Sequence, residues 1–220
     1  LKYLKRQEDA KNRGETIDRA MTLADYEELG GVVRSLTQRA DREYEELVDR
    51  DPAYEQTIRN VMLRMVSVGG ELARRRVPLS ELEYPEPEDT RVKTVIQRFL
   101  ETRLLTTGTD SENQTYVEPA HDVLVRGWKR VLDWKQKEQE NLILQRRLTP
   151  AAEEWSSHKQ AKFLWNANPR LDLLKKTLKS KDNWFNQAEA EFVKHSITKR
   201  LSNTIIRWSI ALGITIAAIA

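Results

Sequence analysis

The amino-acid sequence predicts a mainly α-helical protein that contains one small β-hairpin and ends in an apolar helix. Three observations support this fold class. Apolar residues recur at helical spacing in long stretches, two short extended segments flank a polar loop, and residues 205–220 are almost all apolar. Helices with one apolar face must bury that face against each other, so we expect most of the chain to be packed helices.

Composition limits the classes of function. At 220 residues with 39% apolar content, the chain is long enough for one large domain or two small ones. Charged residues make up 32% and nearly balance at +3, so the overall charge does not favour nucleic acid binding. Cysteine is absent, which excludes disulfides and thiolate metal sites. The chain begins inside a charged, helix-like run and ends inside an apolar run, so we expect it to be part of a longer polypeptide.

The first elements are predicted to be helices. Leu1–Arg13 has the composition of the closing turns of a helix, and Thr22–Leu29 is predicted to form a short helix that ends at a glycine pair. A further helix begins near Val33 and closes before Pro52, which suits the first position of the next helix.

Two apolar stripes are the clearest helix signals in the chain. Between them, Pro78 disfavours helical dihedrals at Val77, so a short extended segment is predicted there. The first stripe consists of Ile58, Val61, Met62, Met65 and Val66, and the second of Val92, Val95, Ile96, Phe99, Leu100 and Leu104.

A β-hairpin is predicted after the second stripe. Its strands are Leu104–Thr107 and Thr115–Val117, and the polar loop Gly108–Gln114 joins them. Helix, helix, short strand, helix and hairpin is the order of elements in a winged helix-turn-helix domain. We therefore predict such a domain in this part of the chain, with the hairpin as its wing.

Residues 131–200 are predicted to form an all-helical connector. Apolar residues recur at helical spacing from Leu144 to Trp155, with an interruption or kink expected near Thr149–Pro150. Pro169 breaks the chain again, and Trp184–Lys199 forms a last amphipathic segment.

The final residues have a different composition, because Ile205–Ala220 is almost uniformly apolar. A helix that spans a bilayer needs about 20 apolar residues, so residues 201–220 are interpreted as the start of a transmembrane or membrane-associated helix. Lys199, Arg200 and Arg207 lie where basic residues mark the cytoplasmic side. We therefore expect a cytoplasmic protein that is membrane-associated or crosses the membrane once. The alternative is a buried carboxy-terminal helix.

The sequence lacks the motifs of a self-contained catalytic site. It contains no glycine-rich phosphate loop and no His-Glu-x-x-His metal motif. Its histidines, at positions 121, 158 and 195, are too scattered to suggest a catalytic constellation. No catalytic residue is assigned, and this chain alone is expected to have no turnover.

Short motifs that occur in a fixed order suggest a family. They are Leu23-Ala-Asp-Tyr-Glu-Glu-Leu-Gly-Gly31, Arg103-Leu-Leu-Thr-Thr107, Val117-Glu-Pro-Ala-His-Asp-Val-Leu-Val-Arg-Gly-Trp128, and Gln145-Arg-Arg-Leu148 with Glu154-Trp155. Together they resemble the carboxy-terminal half of the bacterial STAND NTPases, and most closely the group named novel STAND NTPase 1. The resemblance covers about Thr22–Arg207.

The resemblance implies functions for regions outside the chain. It implies that a P-loop ATPase domain precedes Leu1 and holds most of the ADP or ATP with its Mg²⁺, that residues 1–33 are the end of a helical lid and a linker, and that the winged-helix domain covers residues 34–130. It also implies that sensor repeats, such as WD repeats, follow Ala220. In a protein of this kind, ADP-to-ATP exchange is expected to release the winged-helix domain and to permit homo-oligomerisation in signal transduction.

The resemblance also assigns a nucleotide-binding role to His121 and Asp122. Ala120-His121-Asp122 is similar to the Met-His-Asp motif of the wider class, with alanine in place of methionine. The similarity implies that His121 contacts the β-phosphate of ADP and that Asp122 holds the local turn. A histidine at a helix start is chemically suited to donate to a phosphate. Without the resemblance, His121 is better explained as a structural or merely exposed residue, and Asp122 as a carboxylate that offsets the helix dipole.

Two other functions remain open at this stage. Winged helices often bind DNA, and the helix of the second stripe carries Arg91, Lys93, Arg98 and Arg103. However, Asp110 makes the predicted wing tip acidic rather than basic, so nucleic acid is not the expected partner. The other alternative is a membrane-tethered helical scaffold with no nucleotide role.

Overall fold

The computed structural model describes residues 8–14, 31–67 and 73–219. The predicted helix Thr22–Leu29, and with it most of the region 1–33, lies outside the described residues. Within residues 31–67 and 73–219, the elements are α1 Gly31–Arg50, α2 Ala53–Arg64, β1 Val77–Pro78, a 3₁₀ turn Leu79–Leu82, α3 Glu88–Glu101, β2 Leu105–Thr109, β3 Thr115–Pro119, α4 Val123–Arg126, α5 Lys129–Lys137, α6 Gln139–His158, a 3₁₀ turn Ala161–Phe163, α7 Leu171–Lys179 and α8 Gln187–Ile219.

A small antiparallel sheet of three strands follows the order β1-β3-β2. The hairpin pairs Leu105 with Pro119 and Thr109 with Thr115, so its tip is residues 110–114, and Gly108 and Thr109 of the predicted loop belong to β2. Strand β1 pairs with the other edge of β3, through Val77 and Val117. The sheet therefore brings the chain before α3 beside the end of the hairpin.

The first hydrophobic core joins α1, α2, α3, the sheet and α5. Both predicted stripes point into it: Ile58, Val61 and Met65 are fully buried, and so are Val92 and Val95. The prediction of a mainly helical fold with one small hairpin is confirmed. The identity of this domain as a winged helix stays a prediction.

A second hydrophobic core lies between α6, α7 and α8, and Leu148, Trp155 and Phe192 are buried in it. Of the interruption or kink predicted near Thr149–Pro150, the interruption is wrong, since α6 runs unbroken through Pro150. Proline removes one backbone hydrogen bond, but the neighbouring turns of α6 are held by the side chains that they bury.

The last helix, α8, extends for 33 residues. Within the described part of the chain, none of the helices combines the length and the apolar character that crossing a bilayer requires. The prediction that residues 201–220 begin a helix that crosses the membrane once is therefore wrong. The apolar run is too short, because Lys199 and Arg200 precede it and Arg207 interrupts it.

Candidate functional site

The predicted site residues His121 and Asp122 lie in an exposed turn between β3 and α4. The Ala120 N–H donates to the Leu104 carbonyl at 2.9 Å, which fixes the end of β3 against the start of the hairpin. The Leu124 N–H donates to the His121 carbonyl at 3.1 Å and begins α4. The sheet and the first core thus present both side chains at the surface.

The His121 ring has one nitrogen engaged and one available. Its Nδ1 accepts a hydrogen bond from the Val123 N–H at 3.3 Å. A neutral imidazole whose Nδ1 accepts must carry its proton on Nε2. The exposed side chain therefore offers an N–H donor at Nε2, suited to one oxygen of an anionic group.

Arg74 holds the same turn from the side. Its Nη1 donates to the Pro119 carbonyl at 3.2 Å and to the Ala120 carbonyl at 3.4 Å. Its Nε lies 3.4 Å from Asp122 Oδ1. A single guanidinium thus contacts the backbone before His121 and the carboxylate after it.

A second charged site, which the sequence analysis missed, is buried between the two cores. The Arg64 side chain is fully buried, and all five of its N–H donors have acceptors. These acceptors are Tyr84 Oη at 2.6 Å, Glu81 Oε1 at 3.1 Å, Glu189 Oε1 at 3.1 Å, Glu189 Oε2 at 2.6 Å and the Trp184 carbonyl at 3.1 Å. We call Arg64, Arg75, Glu81, Tyr84, Arg146, Thr149 and Glu189 the buried charged cluster.

Glu189 connects this cluster to the start of α8. The Asn186 N–H donates to Glu189 Oε2 at 2.9 Å, and the Glu189 N–H donates to Asn186 Oδ1 at 2.8 Å. This reciprocal pair is a capping box, which satisfies two free N–H groups at a helix start. Thr149 of α6 adds a hydrogen bond to Glu189 Oε1 at 2.5 Å. The same carboxylate therefore begins α8 and fixes it to α2 and α6.

Electrostatics within the cluster favour ionised Glu81. Burial alone raises the pKa of this carboxyl group, but hydrogen bonds and charge from Arg75 and Arg64 outweigh burial and lower it. Burial raises the pKa of Tyr84 to about 12. Burial and the nearby Arg75 lower the pKa of Arg146 to about 10, although Arg146 also donates to the Arg64 and Val66 carbonyls near the end of α2.

Two sequence signals point to this cluster in retrospect. Asn186-Gln-Ala-Glu189 has the spacing of a capping box, with asparagine at the cap position. Arg64 lies directly before Met65 of the first apolar stripe. A charge at such a position is costly to bury unless it has a partner. Neither signal identifies the partner, because Arg64 and Glu189 are 125 positions apart.

The basic residues of α3, which suggested DNA binding, are engaged within the protein. Arg91 lies 2.7 Å from Glu88, and Lys93 lies 2.6 Å from Asp89. Arg98 pairs with two glutamates of α1. These three charges are offset locally, which weakens the case for contacts with DNA phosphates.

Comparison with known proteins identifies the class. A family model matches residues 7–162, more than half of the chain, and places it among the STAND NTPases. The chain belongs to the family Novel STAND NTPase 1. The matched segment includes the His121 turn and all of α6, and it ends before α7. No curated protein and no solved structure matches the chain significantly.

Proposed function

We propose that this chain is the regulatory part of a STAND NTPase, and that His121 senses a nucleotide held by an NTPase domain of the same polypeptide. One observation carries the proposal. In a chain of this family, an exposed histidine has its Nδ1 engaged by the Val123 N–H, which leaves the Nε2 N–H available as a donor. The phosphate-binding loop and Mg²⁺ belong to the NTPase domain in this proposal, and Asp122 stabilises the turn that presents the ring.

The His121 contact would favour the ADP-bound, closed state. A hydrogen bond to a charged acceptor contributes about 1.5–3 kcal/mol, which corresponds to roughly 10-fold to 150-fold in an equilibrium constant. A ligand shifts a conformational equilibrium only by its difference in affinity for the two states. If ATP binds without this contact, exchange of ADP for ATP favours opening and then self-association of the opened protein, under the control of sensor repeats.

Retention of ADP by the full-length protein tests the proposal. His121→Ala removes the Nε2 donor, so we expect ADP to dissociate about 10-fold faster or more. His158→Ala is the matched control, because His158 is also exposed but lies at the end of α6. The measurement is the decay of a fluorescent ADP signal after addition of excess unlabelled ADP. Equal dissociation rates in the wild type and both variants would rule out the contact.

A DNA-binding role has less support. The local pairing of Arg91, Lys93 and Arg98 and the acidic Asp110 at the hairpin tip both oppose phosphate contacts. Titration with duplex DNA at low salt separates the two functions. Salt-dependent binding by the wild-type chain would favour the DNA-binding role.

A further inference from the structure

We propose that the adjacent residues Arg74 and Arg75 couple the His121 turn to the start of α8. As a regulatory mechanism this rests on the proposed function, because the signal is the nucleotide that His121 senses. The coupling itself is a property of the chain and is tested without nucleotide. In this arrangement, a conformational change of the His121 turn is transmitted to the buried charged cluster and from there to the first turn of α8.

The two arginines point to opposite sides of one extended segment. Successive side chains of extended backbone alternate in direction. Accordingly, Arg74 and Arg76 both approach Glu118 of β3, with distances of 3.9 Å and 3.5 Å between nitrogen and Oε2. Arg75 points the other way, into the buried charged cluster. Arg74 and Arg75 are consecutive. A single peptide bond therefore links the arginine that contacts the exposed turn to the arginine that contacts the buried charged cluster.

Arg75 makes several contacts on the buried side. Its Nη1 donates to Glu81 Oε1 at 2.9 Å, and its Nη2 donates to Glu81 Oε2 at 2.6 Å. Nη1 also donates to the Arg64 carbonyl at 3.2 Å, at the end of α2. A bidentate pair fixes direction as well as distance. A displacement of residue 75 is therefore transmitted to the Glu81 carboxylate.

The backbone around the two arginines is held as well. The Arg75 N–H donates to the Met65 carbonyl at 2.8 Å, and the Ser67 N–H donates to the Ala73 carbonyl at 2.9 Å. Val66 and Arg74 form an antiparallel bridge between these two bonds. The segment thus moves together with the end of α2 rather than independently of it.

The last step runs from Glu81 to α8. Asn186 Nδ2 donates to the Glu81 carbonyl at 3.0 Å, and the Gln187 N–H donates to the Glu83 carbonyl at 2.8 Å. Arg64 bridges the Glu81 and Glu189 carboxylates. The first turn of α8 is therefore bonded to the segment that Arg75 positions. Contacts of this kind are a route for coupling only if perturbing one end changes the other.

Amide hydrogen exchange in the full chain tests the coupling at both ends. The reporters at the turn are the Leu124 and Val125 N–H groups, and those at α8 are the Gln187, Glu189 and Ala190 N–H groups. Arg74→Gln removes the ion pair with Asp122, and among the described residues no hydrogen bond or ion pair joins Arg74 to α8. We expect it to accelerate exchange at the three α8 reporters by about fivefold or more.

The reciprocal variant and a control complete the design. Arg75→Gln is expected to accelerate exchange at the Leu124 and Val125 amides, because coupling between two sites is mutual. Arg76→Gln is the matched control, since the exposed Arg76 side chain contacts Glu118 and the Tyr116 ring rather than the buried charged cluster. We expect it to leave the α8 reporters unchanged. Rates are referred to the Val61 amide in the first core, so that a general loss of stability is subtracted.

Two results overturn the coupling. One is faster exchange at the turn in Arg74→Gln with unchanged exchange at α8. The other is the same acceleration at α8 in Arg76→Gln as in Arg74→Gln. Neither result bears on ADP retention, so failure of the coupling is distinguishable from failure of the nucleotide contact at His121.

Discussion

The His121 turn and the buried charged cluster are both built from arginines and carboxylates, but they differ in solvent exposure. The Arg74 and Asp122 side chains are 41% and 49% exposed, whereas those of Arg64 and Glu189 are both 0% exposed. Water can therefore solvate both charges of the Arg74–Asp122 pair, whereas it is excluded from the Arg64–Glu189 pair. Exposed ion pairs contribute little to stability, whereas breaking a buried pair leaves a charge without solvation.

This difference suggests separate roles for the two regions. The exposed turn can exchange a contact with solvent for one with a ligand at small energetic cost. The buried cluster fixes α8 relative to α2 and α6, since Glu189 is bonded to both helices and to the Asn186 cap. Substitutions in the buried cluster should therefore change the free energy of unfolding more than substitutions in the exposed turn.

The largest expected effect is that of Arg64→Met. This variant leaves the Glu81 and Glu189 carboxylates buried without their shared partner, so we expect a loss of about 3–5 kcal/mol in the free energy of unfolding. Urea denaturation monitored by tryptophan fluorescence measures it. Adding Glu189→Gln to Arg64→Met should restore part of the stability by removing one unpaired charge. A loss below about 1 kcal/mol would contradict the assigned network.

A smaller effect is expected from Thr149→Val. The variant keeps the shape of the side chain but removes the hydroxyl donor to Glu189, at an expected cost of about 1.5–3 kcal/mol. Thr198→Val is the control, because the Thr198 hydroxyl donates only to the exposed Lys194 carbonyl of its own helix. The control should change the free energy of unfolding by less than about 0.5 kcal/mol. Equal effects of the two substitutions would be inconsistent with a special role for Glu189.

Acid titration should reveal the contribution of Glu81. Its folded pKa is lowered from the ordinary value of 4.5, so the unfolded chain binds its proton first as the pH falls. The contribution is present above that ordinary value and is lost as the pH falls through the lowered folded pKa. Arg75→Gln removes a major cause of the shift and should flatten this part of the profile. Urea midpoints from about pH 6 to about pH 3 measure it. Profiles of identical slope would contradict the attribution.

Asp122→Asn is expected to have a small effect on stability. This variant removes the charge that faces Arg74 at the surface, and exposed pairs contribute about 0.2–1 kcal/mol. The same urea experiment, repeated at high salt, should show the difference from the wild type shrinking as the charges are screened. A loss as large as that of Arg64→Met would remove the distinction between the two regions.

Local sequence patterns predicted the first core and the hairpin. The stripes that contain Ile58 and Val92 are buried because helical spacing places their apolar residues on one face. The same local pattern placed His121 between a strand and a helix. Its contact with a nucleotide remains a prediction, because it depends on a domain outside this chain.

Long-range pairing explains what the sequence did not predict. In the sequence, Arg64, Glu81 and Glu189 have the pattern of ordinary surface charges, because their pairing spans up to 125 positions and only the fold brings them together.

The interruption expected at Pro150 ignored the burial of neighbouring turns such as that of Ala152. The membrane assignment relied on the apolar residues after Ile205 and gave too little weight to the charges around them.

The central claim is that the exposed turn carries a ligand contact and the buried cluster carries stability. His121→Ala tests it most directly when ADP dissociation and the free energy of unfolding are measured on the same full-length protein. The claim predicts ADP dissociation faster by about 10-fold or more, with a change below about 0.5 kcal/mol in unfolding. Unchanged ADP dissociation, or faster dissociation that only accompanies a large loss of stability, would contradict it.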